Sequence, residues 1–428
     1  MPDDHRYLSK LACELLLGAA LAGWPLAALA AGAIDTQDFD QVQRGHYLTV
    51  AGDCAACHTL PGSGRDFAGG RIVETPFGHL VAPNITPDPR TGIGAWTDDE
   101  FVNALTKGTG RHGERLYPAM PFTYYTKLSR QDALAIRAYL NTVPAVDNPI
   151  KSDQLPFPFN IRLSMAGWDE LFFKPGEFKP DPHKSAQWNR GAYLTEGLGH
   201  CGMCHTPKNV AGADETGDAL QGYALQGWFA PNITNEARRG LGSWSVDQIA
   251  AYLQNGENGI AVGNGLMAET IHLSTSHLTD ADAEAIAVYL KDRPEDQGKQ
   301  QAEAAPASSP PDQTTMKAGE QIYADECSGC HTPDGKGVTG LFPSLHGTPF
   351  VQQTDPTNLI HVVLRGALGV ATKAAPTAPE MPAFAWVLSD DHIAALLTYV
   401  RNSWGNAAPA VGAGDVSKER AKLDERND

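Results

Sequence analysis

Three five-residue stretches of this sequence carry side chains whose types and spacing suit one covalent chemistry. They are Cys54–His58, Cys201–His205 and Cys327–His331, and each has the order Cys-x-x-Cys-His. Two thiols about one turn apart can form thioether bonds to a single porphyrin, and the imidazole that follows can bind its iron. This order is the attachment signature of a c-type haem. The sequence therefore predicts three covalently bound haem c groups, held by these thiols and histidines: Cys54, Cys57, His58, Cys201, Cys204, His205, Cys327, Cys330 and His331.

The cysteine count disfavours two other uses of paired thiols. Six of the seven cysteines lie in the three motifs, and the seventh, Cys13, lies in the N-terminal apolar stretch. A zinc site would need two pairs or added histidines close together, but the first two motifs begin 147 residues apart (201 − 54). A thioredoxin-like pair would need a strand–helix context and no adjacent histidine.

The sixth iron ligand decides whether a haem is closed for electron transfer or open for chemistry. Met120, Met267 and Met381 each precede the last predicted helix of a unit, and we predict that they are the axial ligands. Thioether ligation raises the haem potential relative to ligation by two histidines. For the second site the alternatives stay open, because Met267 lacks the following proline seen at the other two and His272 and His277 lie nearby.

Each proximal histidine also needs an acceptor for its second ring N–H, since this bond sets the orientation of the ring. The backbone carbonyls of Pro83, Pro231 and Pro343 are the predicted acceptors, because these residues follow the three motifs in similar positions.

The first two units are repeats of one another. Residues 44–49 (RGHYLT) recur at 190–195 (RGAYLT), and the segment APNIT at 82–86 recurs at 230–234. The histidine-to-methionine spacing is 62 residues in both copies (120 − 58 and 267 − 205). A duplication explains this agreement, so we expect each copy to enclose its own haem.

Helix signals close each unit in the same way. Ser129, Thr279 and Ser389 are predicted N-caps, and each predicted helix then carries an apolar stripe of the form apolar-x-x-Tyr-apolar, which is typical of a core-facing helix. An earlier helix is predicted to begin with a capping box formed by Thr97 and Glu100.

The segments outside these units differ in composition. Residues 1–30 are predicted to be a secretory signal cleaved after Ala30 or, alternatively, after Ala33, with an uncleaved anchor as the other interpretation. Residues 145–185 form an apolar, proline-rich connector, which we interpret as packing between domains or as a surface for a partner subunit or the membrane. A linker is predicted at 293–315, and the charged tail, 405–428, is expected to be disordered.

The chain is strongly acidic, with a formal charge of −17, or −16 once three acids and two bases of residues 1–30 are removed (−17 + 1). This charge argues against nucleic acid and against simple adsorption to anionic lipid. It suits a basic docking partner, and it equally suits a solvated acidic surface. Beyond the N-terminal stretch, no segment approaches the roughly 18 apolar residues that would span a bilayer.

Each unit resembles a small α-helical cytochrome c domain, and the whole resembles the three-haem cytochrome c subunit of membrane-associated bacterial dehydrogenases. That family serves alcohol, gluconate, fructose, glucose and aldehyde dehydrogenase complexes. The resemblance rests on the three haem motifs, the paired APNIT and GxGxW segments, YPAMP at 117–121 and NIRLSM at 160–165. It implies a mainly α fold of three tandem cytochrome c domains, at 34–144, 186–292 and 316–404.

The resemblance also implies partners. A flavin- or quinone-dependent catalytic subunit, with or without a small third subunit, would oxidise the substrate and pass electrons to this chain. Ubiquinone or a terminal oxidase would accept them at the periplasmic side of the inner membrane, where the chain would make a peripheral membrane contact.

Three hypotheses for function follow. The first is an electron-transfer subunit without substrate chemistry of its own, which agrees with the lack of a Rossmann fingerprint or nucleophile motif. The second is a free-standing multihaem enzyme of the peroxidase or sulfur-oxidising type, which needs an open haem. The third is a soluble periplasmic electron shuttle with no fixed partner.

Overall fold

The fold is mainly helical, as predicted, in a computed structural model that describes residues 39–293 and 311–423. The predicted signal sequence and residues 294–310 of the predicted linker lie outside the described residues. Short strands form one three-stranded and two two-stranded antiparallel sheets: β1 Ile72–Thr75, β2 Gly78–Val81, β3 Asp153–Gln154, β4 Tyr223–Leu225, β5 Trp228–Ala230, β6 Ala367–Leu368 and β7 Glu380–Met381.

The α-helices of the described residues are named here in chain order. They are α1 Phe39–Ala51, α2 Cys54–His58, α3 Asp98–Lys107, α4 Phe122–Tyr125, α5 Arg130–Leu140, α6 Ser164–Phe172, α7 Ala186–Tyr193, α8 Gly202–His205, α9 Val246–Asn255, α10 Gly265–Leu273, α11 Asp280–Lys291, α12 Gln313–Ile322, α13 Ser328–His331, α14 Pro349–Gln352, α15 Thr357–Arg365, α16 Asp390–Asn402 and α17 Ala413–Leu423. Within these residues, no helix is both long enough and apolar enough to cross a bilayer.

In every unit, the helix that leads to the haem motif crosses the closing helix at a glycine. A Cβ atom on Gly45 would lie 1.8 Å from the carbonyl oxygen of Ala135, and one on Gly191 would lie 1.9 Å from that of Ala285. In the third unit, a Cβ atom on Gly319 would lie 2.2 Å from the carbonyl oxygen of Ala395 on α16. The pairs α1/α5, α7/α11 and α12/α16 therefore pack backbone against backbone, which only glycine permits.

The predicted caps are confirmed. The side chains of Ser129, Thr279 and Ser389 each accept a hydrogen bond from the third backbone N–H of the helix that follows. Thr97 and Glu100 form the predicted capping box at the start of α3. These caps satisfy N–H groups that have no partner inside the helix.

The two repeats face each other through a reciprocal pair of hydrogen bonds. The Tyr47 hydroxyl donates to Asp282 over 2.6 Å, and the equivalent Tyr193 hydroxyl donates to Asp132. Each aspartate also pairs with an arginine of its own repeat. The arrangement is that of a two-fold contact between like subunits, here built within one chain by duplication.

One core cluster extends through both repeats, and a second belongs to the third unit. The first cluster includes these buried side chains: Leu48, Phe101, Ile136, Leu194, Ile249 and Tyr289. The third unit contacts the second through Asn358, whose amide accepts from the Phe229 N–H over 2.8 Å and donates to its carbonyl over 2.6 Å.

The connector packs on both repeats and also exposes apolar surface. Strand β3 extends the β1–β2 hairpin, the Trp168 indole donates to the carbonyl of Ala211 over 2.9 Å, and the Phe173 ring lies edge-on to Phe122 at 5.1 Å. Six of its apolar side chains are nevertheless 40% to 80% exposed: Phe157, Phe159, Ile161, Leu163, Leu171 and Phe172. Both interpretations of this segment therefore find support. We call these six side chains the connector patch.

The expectation of a disordered tail is wrong for residues 413–423, which form α17. Val416 is fully buried in the core cluster of the third unit. Arg420 donates to the carbonyls of Ala385 and Leu388 over 2.6 and 2.7 Å, and Glu419 meets the buried His361 ring at 3.0 Å. The charges of the tail thus find partners within the fold, which its composition did not reveal.

The helix crossing yields a stability prediction. We expect Gly191→Ala to lower the free energy of unfolding by about 3 kcal/mol, because the new methyl group must separate α7 from the backbone of α11. Denaturant unfolding of the holoprotein measures this change. Gly217→Ala is the matched control, since its Cβ would meet nothing within 4 Å, and it should shift stability by less than about 0.5 kcal/mol. Equal effects of the two substitutions would contradict the prediction.

Candidate functional site

Each haem motif follows a local irregularity that redirects the chain. In the first unit Asp53, between α1 and α2, adopts a left-handed conformation with φ 53°. In the second and third units, the entering helix ends in a π-helical turn, at Leu194–Leu198 and Tyr323–Cys327. Such turns add a residue to the helical ladder and often occur at functional sites. They bring α8 and α13 out of line with the helices that precede them.

The predicted acceptors of the proximal histidines are confirmed. The Nδ1 atoms of His58 and His205 lie 2.7 Å from the carbonyl oxygens of Pro83 and Pro231, and Nδ1 of His331 lies 3.0 Å from that of Pro343. Because a carbonyl only accepts, Nδ1 must carry the proton and Nε2 keeps a free lone pair. Burial lowers the pKa of all three imidazoles, which favours this neutral form.

Three glycines that the sequence analysis did not single out hold these loops in place. The backbone N–H groups of Gly69, Gly222 and Gly337 donate to the carbonyls of the three proximal histidines over 2.7, 2.8 and 3.0 Å. All three glycines have positive φ. The histidine-to-glycine separation is 11, 17 and 6 residues (69 − 58, 222 − 205 and 337 − 331). No constant spacing therefore marked them in the sequence.

The motif cysteines are suited to a covalent link and not to thiolate chemistry. Burial raises the pKa of Cys54, Cys201 and Cys327 to about 12 and that of Cys57 and Cys204 to about 11. As free thiols they would therefore stay protonated at neutral pH. Reactive thiolates and zinc-bound cysteines need the opposite shift.

A single cavity of about 1730 Å³ connects the motifs. It exceeds the roughly 300–1,000 Å³ of an ordinary ligand pocket. Cysteines and histidines of the second and third motifs line it, and Ala56 and Cys57 of the first motif reach it. Its wall is mainly apolar. The cavity can therefore exclude water from more than one large planar ligand.

Two of the three predicted axial methionines, Met267 and Met381, line this cavity together with His205 and His331. Met120 and His58 are not among its lining residues. Met120 is partly buried and, like Cys54, packs against the core cluster of the first two units. Met165 and Met203, which lie in the connector and in the second motif, also reach the cavity wall.

The exposure of the two histidines bears on the open question of the ligand at the second site. His272 and His277 are both exposed, and neither lines the cavity. The His277 ring instead lies 3.2 Å from the carbonyl oxygen of His272. Met267, which lies on α10, is thus better placed than either histidine to face the second motif.

The first two motifs meet each other closely. The Nε2 atom of His200, directly before Cys201, lies 3.3 Å from the carbonyl oxygen of Gly52, which also accepts from the Tyr125 hydroxyl over 2.7 Å. Asp53 is buried beside this contact, and its Oδ1 has no hydrogen-bond partner among the described residues. Burial, helped by the charge of Glu269, raises the pKa of Asp53 to about 8, although Arg71 opposes the shift.

The donor sets fit a c-type haem at every motif. Each motif supplies two thiols and one imidazole whose Nδ1 is already bound, and burial raises the pKa of five of the six thiols. Two of the motifs open fully into an apolar cavity. The same sets would serve poorly for a metal held by thiolates alone, because their thiols resist ionisation.

The raised pKa of Asp53 predicts a pH-dependent stability. The folded chain keeps a proton that the unfolded chain releases near pH 3.8, so Asp53 makes stability fall as the pH rises from about 4 to about 8. Asp53→Asn, which tolerates the left-handed backbone, should therefore gain stability relative to the wild type as the pH rises through this interval. Denaturant unfolding at about pH 5 and about pH 8 tests the difference.

A constant offset for Asp53→Asn would show that Asp53 does not retain its proton.

Comparison with known proteins places these features in a wider group. A family model described as cytochrome c matches residues 42–144 and 316–404. The gluconate 2-dehydrogenase cytochrome c subunit of Pantoea cypripedii is 39% identical over 396 residues, which cover 89% of each chain. The cytochrome c subunit of the quinone alcohol dehydrogenase of Gluconacetobacter polyoxogenes is 37% identical over 96% of this chain and 89% of its own. The fructose dehydrogenase cytochrome subunit of Gluconobacter japonicus is 38% identical over 89% of this chain and 82% of its own.

Proposed function

The chain belongs to the family of cytochrome c subunits of bacterial dehydrogenases, and from this premise we propose that it carries electrons through three haem c groups from a catalytic dehydrogenase subunit to a respiratory acceptor. Covalently bound haem c and electron transfer are properties of the family. The count of three rests on one observation, the same imidazole–carbonyl hydrogen bond behind all three Cys-x-x-Cys-His motifs.

The roles of the chain's own residues follow from this proposal. The six motif cysteines bind the three groups covalently, and the histidine–methionine pairs ligate the irons: His58 with Met120, His205 with Met267, and His331 with Met381. Bound haem supplies reversible one-electron chemistry. The proline carbonyls fix each imidazole, and the apolar cavity wall keeps water from the second and third sites.

The continuous cavity supports a route between sites. It joins the second motif to the third and reaches Cys57 of the first. Residues of the second and third motifs therefore border one continuous space, which Cys57 of the first motif also lines. We propose that electrons pass between the haems along this space.

We further propose a periplasmic location at the inner membrane, a flavin or quinoprotein catalytic subunit as the donor, and ubiquinone or another respiratory acceptor. The connector patch supports contact with the catalytic subunit, because exposed apolar patches of this kind mark interaction surfaces. The net charge of −17 makes a protein partner a better fit there than an anionic lipid surface.

The enzyme alternative requires an open second haem. The exposed positions of His272 and His277, with Met267 at the cavity wall, favour a closed site instead. We therefore assign the chain no substrate-oxidising site of its own.

Replacement of the methionines tests the ligand assignment. Methionine ligation gives oxidised haem an absorption band at about 700 nm. We expect Met120→Ala, Met267→Ala and Met381→Ala each to remove about one third of this band. Met316→Ala is the control, since Met316 lies on α12, the helix that precedes the third motif, and its loss should leave the band intact. If Met267→Ala keeps the whole band, the second haem has another ligand or an open site.

Substitution of the connector patch tests the partner contact. The double variant Phe157→Glu/Leu163→Glu, at two patch residues that do not line the cavity, should copurify with less than about a tenth of the catalytic subunit, because two buried carboxylates oppose desolvation at an interface. Its haem content should stay at three per chain. The control is Phe39→Glu, an equally exposed apolar side chain on α1. Undiminished copurification by the double variant would place the partner elsewhere.

A further inference from the structure

Arg71 joins the first haem motif to the second repeat. It precedes β1, and its Nη1 donates to the carbonyl of Ala56 over 2.6 Å, inside the Cys54–His58 loop. Both of its terminal nitrogens also donate to the carboxylate of Glu269, one of them over 2.8 Å. One guanidinium therefore contacts the attachment loop of one unit and a helix of the other.

Glu269 lies on α10, two residues after Met267. The segment directly after this helix is fastened to the first unit at one further point. The Ser274 hydroxyl donates to the carbonyl of Ala51 over 3.2 Å. The segment that carries the predicted ligand of the second iron thus rests on the motif of the first.

Arg71 is itself held beside the first proximal histidine. Its carbonyl accepts from the N–H of Ala82 over 2.9 Å, and Ala82 precedes Pro83, the acceptor for His58. This backbone hydrogen bond holds Arg71 in place, and the Arg71 side chain can then contact both the first haem motif and α10.

A similar set of contacts links the second haem motif to the first repeat. Lys208 donates to the carbonyl of Gly202, inside the second motif, over 2.9 Å and pairs with Asp214. Asp214 accepts from the hydroxyl of Tyr124, which lies on α4, four residues after Met120. In both directions, a cation that contacts one haem motif is linked through a carboxylate to the segment that follows the methionine of the other unit.

We propose that Arg71 is a positioning residue for the second haem: through Glu269 it holds α10, and with it Met267, against the second iron site from across the boundary between the repeats. This inference rests on the proposed function, since it requires Met267 to be the axial ligand. Two haem sites thereby share one ion pair, so the geometry of one depends on the integrity of the other.

The exposure of the Arg71 and Glu269 side chains limits how strongly their ion pair can hold α10. The side chains of Arg71 and Glu269 remain 25% and 31% exposed, so solvent screens part of their attraction. Their two parallel hydrogen bonds form the geometry that only arginine offers a carboxylate. Loss of the pair should leave α10 folded and make Met267 easier to displace from the iron.

Competition by imidazole measures this displacement. In the oxidised full-length holoprotein, displacement of Met267 by imidazole should remove about one third of the band at about 700 nm. Arg71→Met should lose this third at an imidazole concentration roughly three- to tenfold lower than the wild type requires. The other two thirds should titrate as before. Arg71→Lys should give an intermediate shift, because an ammonium cannot contact both carboxylate oxygens and Ala56 in the same way.

Arg90→Met is the matched control, since Arg90 also belongs to the first unit and pairs with Asp147 at the surface. Its titration should match that of the wild type. The inference would be overturned if Arg71→Met titrates like the wild type. It would also be overturned if all three parts of the band are lost at equally lowered imidazole concentrations.

The variant Met267→Ala distinguishes a failure of the positioning role of Arg71 from a failure of the ligand assignment. If Met267→Ala removes a third of the band and Arg71→Met titrates normally, only the positioning role is refuted. If Met267→Ala keeps the full band, the assignment of the ligand fails and the inference fails with it.

Discussion

The hydrogen bond from each proximal imidazole to a proline carbonyl is the constraint around which the three units are built. It requires the loop that follows the motif to return under the histidine, and a glycine with positive φ makes that return possible by donating to the histidine's own carbonyl. The bond also selects the tautomer, so the nitrogen that remains is the one an iron can use. In each unit this loop follows the helix that crosses the closing helix at a glycine.

The duplication explains why the first two units behave as one body. Each repeat brings the same tyrosine and the same aspartate to the contact, and the two hydrogen bonds between them are reciprocal. Their buried side chains form one continuous core cluster. The third unit has its own cluster, to which the tail helix contributes Val416, and meets the second through strand β5 and helix α15. The first two motifs thus belong to units that share one core, and the third motif belongs to a unit with a core of its own.

Packing between units also determines which side chains surround the predicted iron sites. Helix α10 belongs to the second repeat by sequence, yet Arg71 and Ala51 of the first repeat hold it and the residue that follows it. A unit isolated from its neighbour would lose these contacts. The duplication therefore supplies each haem site with part of its supporting structure, and this dependence gives a physical reason for the two repeats to remain in one chain.

The sequence by itself determined the local features of this protein. The motifs, the repeats, the capping residues and the acceptors Pro83, Pro231 and Pro343 all follow from short, ordered patterns whose chemistry is decided within a few residues. Only the tertiary structure decided that His272 and His277 face solvent, that the charged tail forms a packed helix, and that Arg71 meets Glu269. These features join residues distant in the chain: Arg71 and Glu269 are 198 positions apart. Composition and spacing carry no record of such a contact, because burial and ion pairing arise only when the units pack together.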